Sequence, residues 1–205
     1  MNDLNDKCSI SKVFGVFKTV PATKSKKTAE RTQRILDAAQ EQFLETGLRG
    51  TTMETLARRA RVAKPTLYAY FPDKEAVFNA VIARLMEDWT QIVGTALSSD
   101  GKPEERIARA FLAKFSAADD LISGSPHAEE LMREGANLAT RNASGLEDWL
   151  YEAIEALLVE HGFERSDAAH RSDMLVACVS GLYKFTGRRD QLAEDVAFVT
   201  RRLLG

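Results

Sequence analysis

A chain of 205 residues with 44% apolar side chains is long enough to bury a sizeable core and to hold a small head beside a larger body. Its formal net charge of −2 is unevenly shared: residues 1–72 carry 13 basic against 7 acidic side chains, and residues 73–205 carry 15 against 23. Two cysteines exclude a disulfide framework, neither stands in ligand spacing with His127, His161 or His170, and no apolar run approaches the roughly 18 residues of a membrane span.

Residues 1–27 read as a flexible basic arm, with Lys7, Lys12, Lys18, Lys24, Lys26 and Lys27 and a helix-interrupting Pro21. Lys12 and Lys18 bracket Val13–Phe17 too tightly for the apolar stretch of a signal peptide, so a cytoplasmic protein is expected. Ile35, Ala39 and Phe43 recur every fourth residue and predict a helix that Gly47 ends. Met53, Leu56, Ala57 and Ala60 then give one apolar face to a short helix, with Arg58 and Arg59 off that face. Arg61, Val62 and Ala63 form a turn. In the following segment, Lys64 to Phe71, Leu67 and Phe71 point to the core and Lys64, Thr66, Tyr68 and Tyr70 point outward. Two short helices across a tight turn, the second carrying groups that reach phosphates and base edges, describe a DNA-binding helix-turn-helix. The excess of basic residues lies in the same part of the chain, where a polyanion requires it.

Downstream the pattern is helical throughout. Asp73 is placed to cap a long helix from Lys74 to about Leu97, with Phe78, Ile82, Leu85, Trp89 and Ile92 on its apolar stripe. Pro103 opens the next, with Ile107, Phe111 and Phe115 on one face, and Ser125-Pro126 signals another start. Ser144 and Glu147 form a capping-box pair ahead of Leu146, Leu150, Ile154, Leu157 and Leu158, and Gly162 ends that helix. Two more helices are expected near Ser166–Thr186 and Asp190–Leu204. The first carries Met174, Ala177, Cys178, Gly181, Leu182 and Phe185 on one stripe, and the second Leu192, Val196, Val199 and Leu203. Small residues on such a stripe permit close helix approach, and two readings are open: the chain's own core, or a second copy of the chain.

The ordered set Gly47, Thr51-Thr52, Ala57 to Ala60, Thr66-Leu67-Tyr68, Tyr70-Phe71 and Lys74-Glu75 resembles the N-terminal domain of the tetracycline-repressor (TetR) family. The resemblance implies an all-α protein of about nine helices, with an arm over 1–27, a three-helix DNA-binding head over 28–73 and a helical effector-binding and dimerisation body over 74–205. It implies contacts to double-stranded operator DNA from Thr51, Thr52, Lys64, Pro65, Thr66, Tyr68, Tyr70 and Lys74. It also implies that the last two helices pair with those of a second subunit. Two residues depart from the family pattern. Arg61 stands where Gly is usual, at a turn position of positive φ that costs a side chain about 1 kcal/mol. Ala63 stands where Ser or Thr usually caps the second helix, an oxygen worth about 0.5–2 kcal/mol.

The family's body usually encloses a small-molecule pocket, for which Trp89, Phe111, Phe115, Met132 and Trp149 are candidates, with Asn137 or His127 as polar contacts. Each of the five also suits an ordinary core. Cys178 lies on an apolar stripe, where thiols are usually inert. No Gly-rich phosphate loop, HExxH, CxxC pair or nucleophile elbow is present, so an enzyme, a metal centre and a cofactor are not expected. The expectation is a homodimeric repressor released from a palindromic operator by a small-molecule inducer. The competing reading is a DNA-binding adaptor without inducer, whose body contacts a protein partner.

Overall fold

The computed structural model describes residues 26–134, 146–185 and 189–205. The described residues are helical: α1 (Lys26–Gly50), α2 (Met53–Arg59), α3 (Lys64–Tyr70), α4 (Lys74–Leu97), α5 (Pro103–Ser123), α6 (Leu146–Glu160), α7 (Arg165–Phe185) and α8 (Leu192–Leu204), the last preceded by a 3-10 turn at Arg189–Gln191. Among them no helix is long and apolar enough to cross a membrane. The expected arm up to Lys24, the Ser144 cap and Asn137 lie outside the described residues.

Two compact units form. The first takes in residues 26–87 and 118–134, and the second residues 88–117 together with α6, α7 and α8. The boundary expected at 73/74 is therefore not where the compact units divide. The first part of α4 packs with the head, and so does a stretch beyond α5 that lies far away in sequence.

In the first unit the apolar stripes of α1 to α4 meet in one core: Ile35, Ala39, Phe43, Leu56, Leu67, Val77 and Val81 are buried, and Leu131 joins them. Phe43 and Phe78 meet edge to face, with centroids 5.3 Å apart, an arrangement that suits the aromatic quadrupoles. Gly47 breaks α1 at φ 69°, and a Cβ there would lie 2.9 Å from Glu130 Oε2 and 3.0 Å from His127 Nδ1. The backbone conformation requires glycine at this position, and the two side chains that close over it would have to shift for a Cβ. Arg59 fixes α2 to α1 through Glu45 and, at 3.1 Å, Gln42. Arg84 fixes α4 to α1 through Asp37 at 2.6 Å and Gln40 at 2.7 Å.

In the second unit, α6 packs on α7 and α7 on α8. Leu150, Ile154, Leu157, Leu158, Leu175 and Val179 are fully buried, and Ser172 Oγ donates to the Tyr151 carbonyl at 2.8 Å. Gly162 at φ 92° closes α6 with paired bonds from its own N–H to Val159 and from Phe163 N–H to Leu158, the Schellman ending. Phe115 stacks on Tyr183 with centroids 4.2 Å apart.

Lys114 is the anomaly of this unit. Its side chain is only 13% exposed, and the Glu147 carboxylate lies 3.5 Å away on α6. Burial lowers its pKa from the ordinary lysine value, and the Glu147 carboxylate only partly opposes that shift. A lysine so depressed resists charging in the fold, so its penalty is present at neutral pH and relieved as pH rises through the folded pKa toward the unfolded one. Lys114→Met keeps the apolar stem and removes the buried charge. Urea unfolding should show a gain of about 1 kcal/mol at pH 7, shrinking toward pH 10.

Candidate nucleic-acid interface

The surface of interest is built by α2, its turn and α3. Thr52 caps α2: its hydroxyl accepts from Thr55 N–H at 3.2 Å, while Thr55 Oγ1 accepts from Thr52 N–H at 3.1 Å. The helix ends at Ala60 in a Schellman motif, with Val62 N–H on the Ala57 carbonyl at 3.0 Å and Arg61 N–H on that of Arg58 at 3.2 Å. The residue between, Arg61, has φ 53°, as the turn demands. Ala63 precedes α3 without any side-chain cap, and Pro65 supplies the preset φ of a first helical turn instead.

Leu67 anchors α3, being fully buried in the head's core. Its neighbours are thereby turned outward. Lys64, Pro65 and Tyr68 are exposed, Tyr68 to 44%, and Thr66 is half-buried beside them. Arg58 and Arg61 are exposed on the preceding helix and turn. This is an amphipathic, basic surface carried on a short helix of fixed orientation. Hydroxyl, ammonium and guanidinium donors stand within a few residues of one another, the donor set that phosphates and base edges require.

Three of the expected DNA-contacting residues stand differently. Thr51 is 1% exposed, and its hydroxyl donates to the Gly47 carbonyl at 2.8 Å; it is a structural residue of the turn and is closed to DNA. Tyr70 is half-buried and packs against the core. Lys74 extends its ammonium to the carbonyls of Leu48, at 2.7 Å, and Thr51, at 3.0 Å, so two of its three donors hold the end of α1. Asp73 caps α4 as expected from its position, accepting from Ala76 N–H at 2.7 Å. Sequence reasoning missed the partner of Lys64, which is Glu54 in the first turn of α2. The available signal was charge pattern: Glu54 is the single acid between residues 46 and 72, against Arg49, Arg58, Arg59, Arg61 and Lys64.

Residues 35–81 match the family model described as bacterial regulatory proteins, tetR family. Residues 35–81 thus carry a TetR-type N-terminal domain. The TetR match covers all of the surface just described. The HTH-type regulator YhgD of Bacillus subtilis is 32% identical over 84 residues, 41% of this chain and 44% of that protein. The HTH-type regulator RutR of Escherichia coli is 36% identical over 75 residues, 37% of this chain and 35% of that protein. The matched stretches thus span less than half of these relatives. A TetR-family structure from Mesorhizobium loti shares the fold with a TM-score of 0.65 at 16% identity, over 87% of this chain and 97% of that one.

Of the pocket candidates, Trp89, Phe111, Phe115 and Trp149 are buried in the second unit, whereas Met132 is half-buried and belongs to the first. On α7, Met174, Ala177 and Cys178 are exposed, with Gly181 and Leu182 half-buried along the same helix. Leu192 and Val196 are buried within the subunit. They therefore cannot form the outer face of α8, which carries Phe198 (56% exposed), Arg201 and Arg202 instead, while Val199 and Leu203 are intermediate. Phe185 ends α7.

Lys74→Met should strand two partly buried carbonyls. The expected loss is about 1–3 kcal/mol in urea unfolding, with amide exchange accelerated most between residues 46 and 52.

Proposed function

We propose that the protein is a homodimeric, sequence-specific transcriptional repressor, released from a palindromic operator by a small apolar or amphipathic molecule. The observation that carries the reading is the α2–α3 surface: Leu67 buried, with Lys64, Pro65, Thr66 and Tyr68 displayed beside Arg58 and Arg61. In this reading α3 enters the major groove. Lys64 and Thr66 address base edges, Pro65 meets a thymine methyl, and Thr52, Tyr68, Tyr70 and the remaining donor of Lys74 address phosphates. A single seven-residue helix offers few base contacts, and a twofold pair doubles them. The exposed stripe of Met174, Ala177 and Cys178 on α7, with Phe198 on α8, supports pairing between subunits. In this reading the ligand site lies in the second unit, as the resemblance to the family implies, and α4, which contributes to both units, is the continuous element through which the ligand influences the head.

Selection of bound duplexes from a random pool tests the DNA-binding reading. The expected motif is a palindrome whose half-sites lie about 10 bp apart or a multiple of that, with affinity falling steeply as salt rises. Recovery of no motif would overturn it.

The dimer has its own test. A Cβ at Gly181 would meet nothing within 4 Å in the subunit, so a side chain can start there without a clash. Gly181→Glu should keep its helical circular dichroism, sediment as a monomer and lose most operator affinity, because the new charges would face each other across the pairing surface. A Gly181→Glu protein that still sediments as a dimer would place the interface elsewhere.

A further inference from the structure

Lys64 begins the helix that addresses DNA, and its ammonium is not free: it binds the carboxylate of Glu54, ten residues earlier on α2. Both groups are on the surface, Glu54 60% and Lys64 49% exposed at the side chain, so the pair lies on the face presented to a duplex. Glu54 is itself held, its carboxyl kept below the usual range by Lys64 first, and then by its own backbone N–H and the Thr52 hydroxyl that caps α2. The lysine has a flexible four-carbon stem that carries roughly 2 kcal/mol of rotamer entropy, and such a stem left alone reaches whichever phosphate is nearest. A phosphate contact carries no sequence information, whereas a base contact does.

We infer that Glu54 is a specificity-determining positioning residue. By holding the Lys64 ammonium on the α2 side of the turn, it withholds the lysine from indiscriminate phosphate contact and directs it at a base edge. The inference rests on the DNA-binding reading of this surface, and it assigns the role to a residue that touches the reader rather than the DNA.

The test compares wild type, Glu54→Gln, Lys64→Gln and the double variant, with circular dichroism confirming the fold of each. The probes are the duplex recovered by random-pool selection with wild type, and a scrambled duplex of the same length. Glu54→Gln should bind the scrambled duplex more tightly, with a log–log salt slope steeper by about 0.9 as Lys64 gains a phosphate. Its ratio of selected to scrambled affinity should fall roughly tenfold, the size of one lost base contact. In the Lys64→Gln background the same Glu54→Gln change should alter neither quantity, because the residue acts through the lysine. Equal effects in both backgrounds would mean that Glu54 acts only as a local charge or reads a base itself, and would overturn the inference. So would a Glu54→Gln protein that keeps the wild-type ratio and slope. If wild type binds no duplex at all, the DNA-binding reading falls and takes this inference with it. A wild type that selects a motif which Glu54→Gln reads equally well sinks the inference alone.

Discussion

Where α1 ends, the backbone at Gly47 takes φ 69° and the carbonyls around the break lose their intrahelical donors. Side chains from three other places supply them. Thr51 donates to Gly47, Lys74 to Leu48 and to Thr51, and Ser125 to Leu44. The His127 N–H in turn donates to Ser125 Oγ at 2.9 Å, and the His127 ring and Glu130 carboxylate close over the glycine. This one turn sets where α2 starts, and α2 with its Schellman ending sets where α3 lies. The orientation of the displayed residues thus derives from the satisfaction of a few backbone carbonyls, which is costly to disrupt in a partly buried place.

Electrostatics in the head is organised by the same economy of partners. The basic excess of the N-terminal third suggests a broad cationic field, but several of its charges hold helices together: Arg59 through Glu45 and Gln42, Arg84 through Asp37 and Gln40, Lys74 through carbonyls, Lys64 through Glu54. The side chains on α2, α3 and their turn that face solvent without such an ion pair include Arg58 and Arg61. Arg61 is also the residue that accepts a left-handed backbone where glycine would be relaxed, so the turn carries a conformational cost of about 1 kcal/mol and presents a guanidinium there.

Much of this was legible in the sequence because it depends on neighbours along the chain. The helix-turn-helix, the Asp73 cap, the breaks at Gly47 and Gly162 and the missing cap at Ala63 follow from spacing and from the conformational preferences of single residues. What was not legible depends on residues far apart. Thr51 looks like a surface hydroxyl until Gly47 folds over it, and Lys74 looks like a phosphate ligand until the end of α1 arrives beside it. Leu192 and Val196 fall on an apolar stripe, and periodicity identifies such a stripe without saying whether it faces the chain's own interior. The ten-residue separation of Glu54 and Lys64 matches no helical repeat, because the pair spans a turn.

The head's core contains Leu131, and the Gly47 turn is closed by Ser125, His127 and Glu130. On a ribosome, then, α1 to α3 emerge well before the residues that complete their fold. At roughly 5–20 residues per second, the stretch from Glu87 to Leu131 takes several seconds to synthesise. During that interval the surface that would meet DNA lacks its final support, and a nascent or truncated chain ending near Glu87 carries the family's sequence signature without the closed turn that orients it. Completion of the α2–α3 surface thus waits on residues translated well after it.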